Sequence, residues 1–441
     1  MKPSPHSRLL NQVLENLVPL ISCGPKGNSR NRSLPAPLVV CLFALQALYG
    51  NLSCRGILAI FASATRLRKV PTDSAYCQAR RRLRPEHFDS AERTLAKLGK
   101  GRCVRPACFE GYDLKAIDAT DFTVMDTPEN RDAWTYPTGQ KPGCGFPVLS
   151  CLIVRNLETG VLFALNMAKW AAHDLRLFLE AAEHCFEKTI LVADRAFDAF
   201  AFYATVKSHG GHVVCRFKEG KRKFLEKSAR LSRNEWTITI KRPTKSSILD
   251  KKALSGLPTT EKLRLVHAKI KKRGFRDEDL WIATTLLDSK KFPAEQILWA
   301  YSQRWGIEVA FRDVKTSMNA EFLRVASPDM TYRAIRAFLF ASNLVRMVFL
   351  RSRLEKADFR LSFKTALPVV AKLLLDVMNG ANPARRLKAL KWCLMSMLFE
   401  RRTRKPEPRA CKRRKQRYPL LTAPRHEYVE IQHIKHYKKM A

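Results

Sequence analysis

Between residues 110 and 217 the sequence changes period in a set order, and that order limits the fold more than any other feature. Leu114–Val124 (LKAIDATDFTV) reads as a strand. Val148–Arg155 (VLSCLIVR) reads as a second, and Val161–Met167 as its returning partner after the turn signal Asn156-Leu-Glu-Thr-Gly160. His173–Phe186 has a helical pattern, and Lys188–Ala193 (KTILVA) is a short apolar strand of the buried kind. Phe197–Ser208 is again helical and His212–Phe217 (HVVCRF) is a further strand. The order β-β-β-α-β-α-β predicts an α/β layer fold on a mixed sheet. Pro128–Pro147, with several Pro and Gly, reads as a loop.

The flanks differ from this core. Residues 1–100 look helical, with Leu38, Val39, Leu42, Phe43, Leu45 and Leu48 in an apolar stripe. Gly99–Pro106 reads as a linker. Residues 218–290 are Lys/Arg-dense, with strand-like islands at Trp236–Lys241, Leu263–Ala268 and Leu280–Thr285, as expected of a basic β-rich insertion. A long helical pattern begins near Glu295, and a second apolar helix at Thr331–Leu350 completes residues 291–350. Residues 351–441 read as a helical C-terminal region ending in a basic tail from Arg401 to Ala441.

Charge narrows the partner. Against 80 Lys and Arg stand 40 Asp and Glu, so the net charge is +40, while 46% hydrophobic residues are enough for a core. A foldable chain that repels itself this strongly points to a polyanion, with nucleic acid favoured over an anionic membrane surface. Arg80, Arg81 and Arg82, in a helical context, fit a phosphate-facing surface or a solvated helix face. No apolar run reaches membrane-span length, and the N-terminus has no signal-peptide pattern. The 12 Cys include no Cys-x-x-Cys pair; they read as reduced thiols of a cytosolic protein, and Cys103 with Cys108 makes a poor metal site.

Among so few acids, three positions stand out. Asp118 lies within the first strand. Asp194 directly follows the apolar strand, where open α/β sheets place their sites. It serves equally as an N-cap for the helix that follows. Read as one helix, Tyr301–Lys315 places Tyr301, Arg304, Glu308 and Lys315 within a stripe of about 60°, flanked by Trp305 and Arg312. A solvated Arg304–Glu308 pair accounts for part of this stripe, but not for the Tyr at its head. Three converging carboxylates suit Mg²⁺ or Mn²⁺, and two such ions clamp the attacking and leaving oxygens of a phosphoryl transfer.

These residues resemble a known family, the insertion-sequence DDE transposases of the IS-four group. Asp118-Ala-Thr-Asp-Phe-Thr-Val-Met-Asp126-Thr-Pro-Glu-Asn130 is similar to its first Asp motif, and Gln140-Lys-Pro-Gly-Cys-Gly-Phe-Pro147 to the loop that follows. Ala193-Asp-Arg-Ala-Phe197 resembles the second Asp motif. Tyr301, Arg304, Glu308 and Lys315 match the Y-(2)-R-(3)-E-(6)-K signature position for position. The resemblance runs from about Ser74 to Arg425. One departure is Ala119-Thr120 where the family has Gly-Thr, followed by a second acid, Asp121. Residues three apart on a strand face opposite sides, and the spacing to Asp126–Asn130 selects Asp118.

The resemblance implies an RNase H-like mixed-sheet core interrupted by a β-rich insertion, with a helical N-terminal DNA-binding region and a helical basic C-terminal region. It implies a metal-binding triad of Asp118, Asp194 and Glu308, holding two Mg²⁺ or Mn²⁺ ions. Tyr301, Arg304 and Lys315 would contact phosphates at DNA ends, and Trp305 would stack on an unpaired base or pack. Arg195 is expected to anchor the turn after Asp194, and His173 to cap or pack at a helix start. The implied activity is cleavage at terminal inverted repeats and joining of 3′-OH ends to target DNA, by two protomers in synapsis. The rivals are another RNase H-like nuclease and an inactivated, DNA-binding relative. An RNA-binding protein would leave the acids unexplained.

Overall fold

The computed structural model describes residues 34–65, 70–89, 106–137, 145–170, 172–181, 186–218, 228–270, 278–352, 359–379, 393, 395 and 398–400. The expected linker as far as Arg105, with Cys103 in it, lies outside these residues, as do most of the Gln140–Pro147 loop and the tail from Arg401. Among the described residues the helices α1 (Ala36–Leu48), α2 (Cys54–Thr65) and α3 (Asp73–Arg81) precede the sheet. The sheet region follows with β1 (Asp113–Val124), α4 (Pro128–Ala133), β2 (Val148–Asn156), β3 (Leu162–Lys169), α5 (Asp174–Glu180), β4 (Thr189–Ala193), α6 (Phe200–Ser208) and β5 (His212–Arg216). Then come β6 (Ala229–Ser232), β7 (Glu235–Lys241), α7 (Lys251–Gly256), β8 (Thr260–Ile270) and β9 (Glu278–Thr284). The last elements are α8 (Ala294–Ser302), α9 (Trp305–Arg312), β10 (Phe322–Leu323), α10 (Pro328–Ser352), β11 (Phe359–Leu361), α11 (Phe363–Met378) and β12 (Leu398–Glu400).

One mixed sheet organises the chain, in the order β3-β2-β1-β4-β5-β9-β8-β7-β6, with β10 added parallel to the end of β1. Strands β1, β4 and β5 are parallel to one another. The hairpin strands β2 and β3 extend the sheet antiparallel on one side, and β9 pairs antiparallel with β5 on the other. The strands of residues 218–290 therefore continue the same sheet instead of forming a separate one. Val214 opposite Thr284 marks the join.

Both faces are covered. Helices α5 and α6 cover Ile117, Leu191, Ala193, Val213 and Leu265 on one face, around Phe178, Phe202 and Tyr203. Helix α8 covers Leu114, Ile190, Val192, Val214 and Ile282 on the other. Beyond it, Phe122, Val124, Leu149 and Ile153 enter a larger core built from α1, α10 and α11. Helix α1, expected to show one apolar stripe, is instead buried along most of its length, because α10, α11 and α3 surround it. Its single polar residue, Gln46, donates to the Leu52 carbonyl at 2.5 Å and accepts from Tyr76. The first helices are thus locked onto the rest: Arg333 of α10 donates to the Leu83 carbonyl at 2.7 Å.

Two expectations are corrected. The Pro128–Pro147 stretch is not all loop, since Pro128 opens α4 and the Thr127 hydroxyl caps the Asn130 N–H. Buried Asn130 then ties this turn to the carbonyls of Met125 and Val325, at 2.9 Å each. The second correction concerns the long helix. Bonds of the i to i−3 type at Arg304, Gly306 and Ile307 tighten the backbone between α8 and α9. After α9, residues Asp313–Ser317 widen into a π turn, with the Met318 N–H on the Asp313 carbonyl at 3.2 Å. Tyr301, Glu308 and Lys315 therefore lie on three successive pieces, and a single 100° wheel does not describe them.

Candidate active site

Asp118 and Asp194 meet through strand register. The parallel pairing of β1 with β4 ends at Ile117 opposite Ala193, which sets Asp118 and Asp194 at the next rung, where β4 stops. Adjacent strands are about 4.8 Å apart there. Asp194 follows the end of β4, and its carboxylate accepts the Ala196 N–H at 2.7 Å, so the capping reading is seen, on a single 3-10 turn, Arg195–Phe197. The Cys215 thiol fixes its backbone, donating to the Asp194 carbonyl at 2.9 Å.

Asp118 faces the side of the sheet covered by α9, as do Phe122 and Val124 of the same strand. Asp121 faces the other side and accepts from the Ser150 hydroxyl at 2.6 Å. Arg304 links the two distant parts of the sequence. Its guanidinium lies 2.5 Å from a Glu308 carboxylate oxygen and 3.6 Å from an Asp118 oxygen. The Ala119 N–H also donates to Asp118, at 2.9 Å. Burial pushes the Asp118 carboxyl up to about 7, Asp194 pushes in the same direction, and Arg304 and the Ala119 N–H oppose them.

Tyr301 is half-buried at the end of α8, its ring 5.9 Å from the Arg304 guanidinium; burial raises its hydroxyl, against Arg304 and Arg216. Lys315, on the π turn, reaches back to within 5.9 Å of the Phe122 ring on β1. Trp305, at the head of α9, is 64% exposed, so it is not a packing residue. Arg312 is exposed at the end of α9, and Arg81 on α3.

Arg80 departs from the expected phosphate-facing surface. It is 8% exposed, with its guanidinium against the rings of Phe43 and Tyr76, at 4.9 and 5.1 Å. Its amino groups meet Gln46 and Cys77, at 3.4 and 3.5 Å. It points inward because α3 packs its Tyr76–Ala79–Arg80 face against α1. His173 caps α5, accepting the Leu175 N–H at 3.2 Å, whereas Arg195 is exposed.

Sequence reasoning missed Asp174, the first residue of α5. Burial and then Asp194 raise its carboxyl, and it in turn raises Asp118. The signal is the His-Asp pair at a helix start, which by itself reads only as a cap. Among the described residues, no three acidic, His or Cys side chains are close enough to hold a metal as they stand. Arg304 lies between Asp118 and Glu308. The donor set nevertheless suits a hard divalent cation: all three groups are carboxylates, and burial together with the neighbouring Asp194 raises the Asp118 carboxyl.

Residues 110–344, more than half of the chain, match the family model described as the transposase DDE domain. The chain belongs to the DDE transposase family. It is 24% identical over 360 residues to the transposase InsG for insertion sequence element IS4 of Escherichia coli (strain K12), covering 80% of this chain and 78% of that one. This agrees with the IS-four resemblance of the signature residues. A solved piggyBac transposase synaptic complex with hairpin DNA is similar at a TM-score of 0.39 and 10% identity. That likeness covers 91% of this chain and 86% of the other, and is too loose to bear on the site. Among the described residues no helix is long and apolar enough to cross a membrane.

Proposed function

We propose that this chain is a cut-and-paste DNA transposase that cleaves at the terminal inverted repeats of its element and joins the 3′-OH ends to target DNA. The observation that carries the proposal is that Arg304 joins Glu308, at 2.5 Å, to Asp118, at 3.6 Å, beside the β1–β4 rung that carries Asp194, in a chain of the DDE family. The strand order β3-β2-β1-β4-β5 supports reading residues 113–216 as an RNase H-like core. Residues 218–290 would then be an insertion that widens the sheet.

Asp118, Asp194 and Glu308 would hold Mg²⁺ or Mn²⁺, as a pair of ions. When bound, these would supply the positive charge that stabilises attacking and leaving oxygens in phosphoryl transfer. The remaining roles belong to the chain. Arg304, Tyr301 and Lys315 would grip phosphates beside the scissile bond, where a guanidinium gives paired hydrogen bonds and an ammonium a point charge. Arg304 would exchange its carboxylate partners for phosphate as DNA arrives. Trp305 is exposed enough to stack on an unpaired base. Arg81, Arg312 and the basic strands would hold the duplex electrostatically. Two protomers would bring the two ends together, each with its own site.

The test uses the full-length protein and duplex DNA from the ends of the segment that brackets its reading frame. With Mg²⁺ or Mn²⁺, the protein should nick at the end and leave a 3′-OH, and EDTA should stop it. Glu308→Gln should still bind the end but not cut it. Binding with no cleavage by the parent protein under any divalent ion would favour the rival, a DNA-binding relative without activity.

A further inference from the structure

Glu308 is held at both ends of its helix by a cluster that lies outside the metal and phosphate machinery. At the start of α9, the Arg155 guanidinium from the end of β2 lies against Gly306. A Cβ placed on that glycine would come within 2.8 Å of an Arg155 amino nitrogen and 2.9 Å of its central carbon. At the other end, buried Asp313 opens the π turn and pairs with Arg346 of α10. The turn between β2 and β3 joins the two arginines. Gly160, with φ of +73°, has its Cβ position 3.5 Å from both an Arg155 amino group and the Arg346 stem. Arg346 is backed in turn by the Phe363 ring, at 5.0 Å.

Gly306 stands two residues before Glu308 and Asp313 five after it. Two strand-end and helix arginines, wedged over one glycine turn, thus grip the short helix between a tight turn and a wide one. The geometry points to Arg155, Asp313 and Arg346 as positioning residues that set the height and rotation of Glu308 against Asp118 and Asp194. This rests on the reading of Glu308 as a metal ligand. Its physical basis is that a ligand carboxylate on a helix of eight residues moves with the helix, and outer contacts of this kind alter metal affinity or activity by about 10–100-fold. Gly306 lets Arg155 approach this closely, and its backbone is outside the left-handed region.

Two variants of the full-length protein test this. Gly306→Ala keeps every charge, favours helix, and displaces the Arg155 guanidinium. Asp313→Asn with Arg346→Met removes the buried pair together, leaving neither charge alone. Three quantities are measured: Mn²⁺ binding to the DNA-free protein by calorimetry, affinity for an end duplex, and melting temperature. Turnover on the duplex completes the set. Gly306→Ala should raise the Mn²⁺ dissociation constant and lower turnover, each by about 10-fold or more. End affinity should stay within about twofold and the melting temperature should not fall. The double variant should show the same split, and if it fails to fold, Gly306→Ala decides alone. Parental Mn²⁺ affinity and turnover in Gly306→Ala would overturn the proposal, as would a loss that merely follows a fall in melting temperature. Glu308→Gln separates the two layers. If it still cleaves, the reading of the site fails; if it is inactive while Gly306→Ala is parental, only the positioning role fails.

Discussion

Asp118→Asn should make the metal-free protein more stable while removing its response to metal. An acid whose folded pKa lies above its unfolded one costs stability wherever the unfolded chain is already charged. For Asp118 that range begins near 3.8 and the cost is complete above about 7. At about 1.4 kcal/mol per pH unit, roughly three units give about 4 kcal/mol at pH 8. Near pH 5 the cost is under about 2 kcal/mol, and below the unfolded pKa it vanishes. The Asp118 side chain is 18% exposed, so solvent does little to screen this. The favourable contacts with Arg304 and the Ala119 N–H are already included, because they oppose the rise. Urea unfolding of parent and variant in EDTA at pH 8 and pH 5 reads the effect directly. The variant should gain a few kcal/mol at pH 8, and the gain should shrink at pH 5. Excess Mn²⁺ should then stabilise the parent, by about 2.7 kcal/mol at a hundredfold excess over its dissociation constant, and the variant much less. No gain at pH 8, or a gain equal at both pH values, would refute the reasoning.

Arg304→Ala should tighten Mn²⁺ binding to the DNA-free protein, since guanidinium and ion compete for the Asp118 and Glu308 carboxylates, and should weaken binding to DNA ends; calorimetry and gel shift read the two. Trp305→Ala should change stability by less than about 0.5 kcal/mol. If Trp305 stacks, the same change should weaken end binding by about 1–3 kcal/mol, measured by fluorescence anisotropy. Arg81→Ala should lower the slope of log affinity against log salt by about one, whereas buried Arg80→Ala should leave the slope alone and lower stability by about 2 kcal/mol or more. Equal salt slopes for the two arginine variants would contradict the assignment of Arg80 to the buried and Arg81 to the exposed part of α3.

The core strands were legible because each carries its own local signal. Ile190–Ala193 is apolar without a break, Asn156–Gly160 announces a turn, and the alternation along β1 sorts Asp118 from Asp121. What the sequence concealed depends on distant partners. An arginine in a basic run looks solvated, and nothing local says that Phe43 and Tyr76 will draw Arg80 inward. The signature Tyr301–Lys315 has helical spacing, but Arg155 approaching Gly306 and Arg346 holding Asp313 come from segments about 30 to 150 residues away and accompany a break at each end of α9. The basic insertion could be read as strands, yet its addition to β5 is a pairing between Val214 and Thr284 that no local pattern records. Asp174 escapes a local reading for the same reason, because its relation to Asp194 exists only once α5 packs on the turn after β4.

The most direct test of the central claim is the cleavage and joining of an end duplex by the full-length protein in Mg²⁺, with Asp118→Asn, Asp194→Asn and Glu308→Gln assayed singly beside it. The parent should release a 3′-OH end and join it to a second duplex, and each variant should bind the end yet perform neither step. Cleavage at parental rate by any one of the three would contradict it.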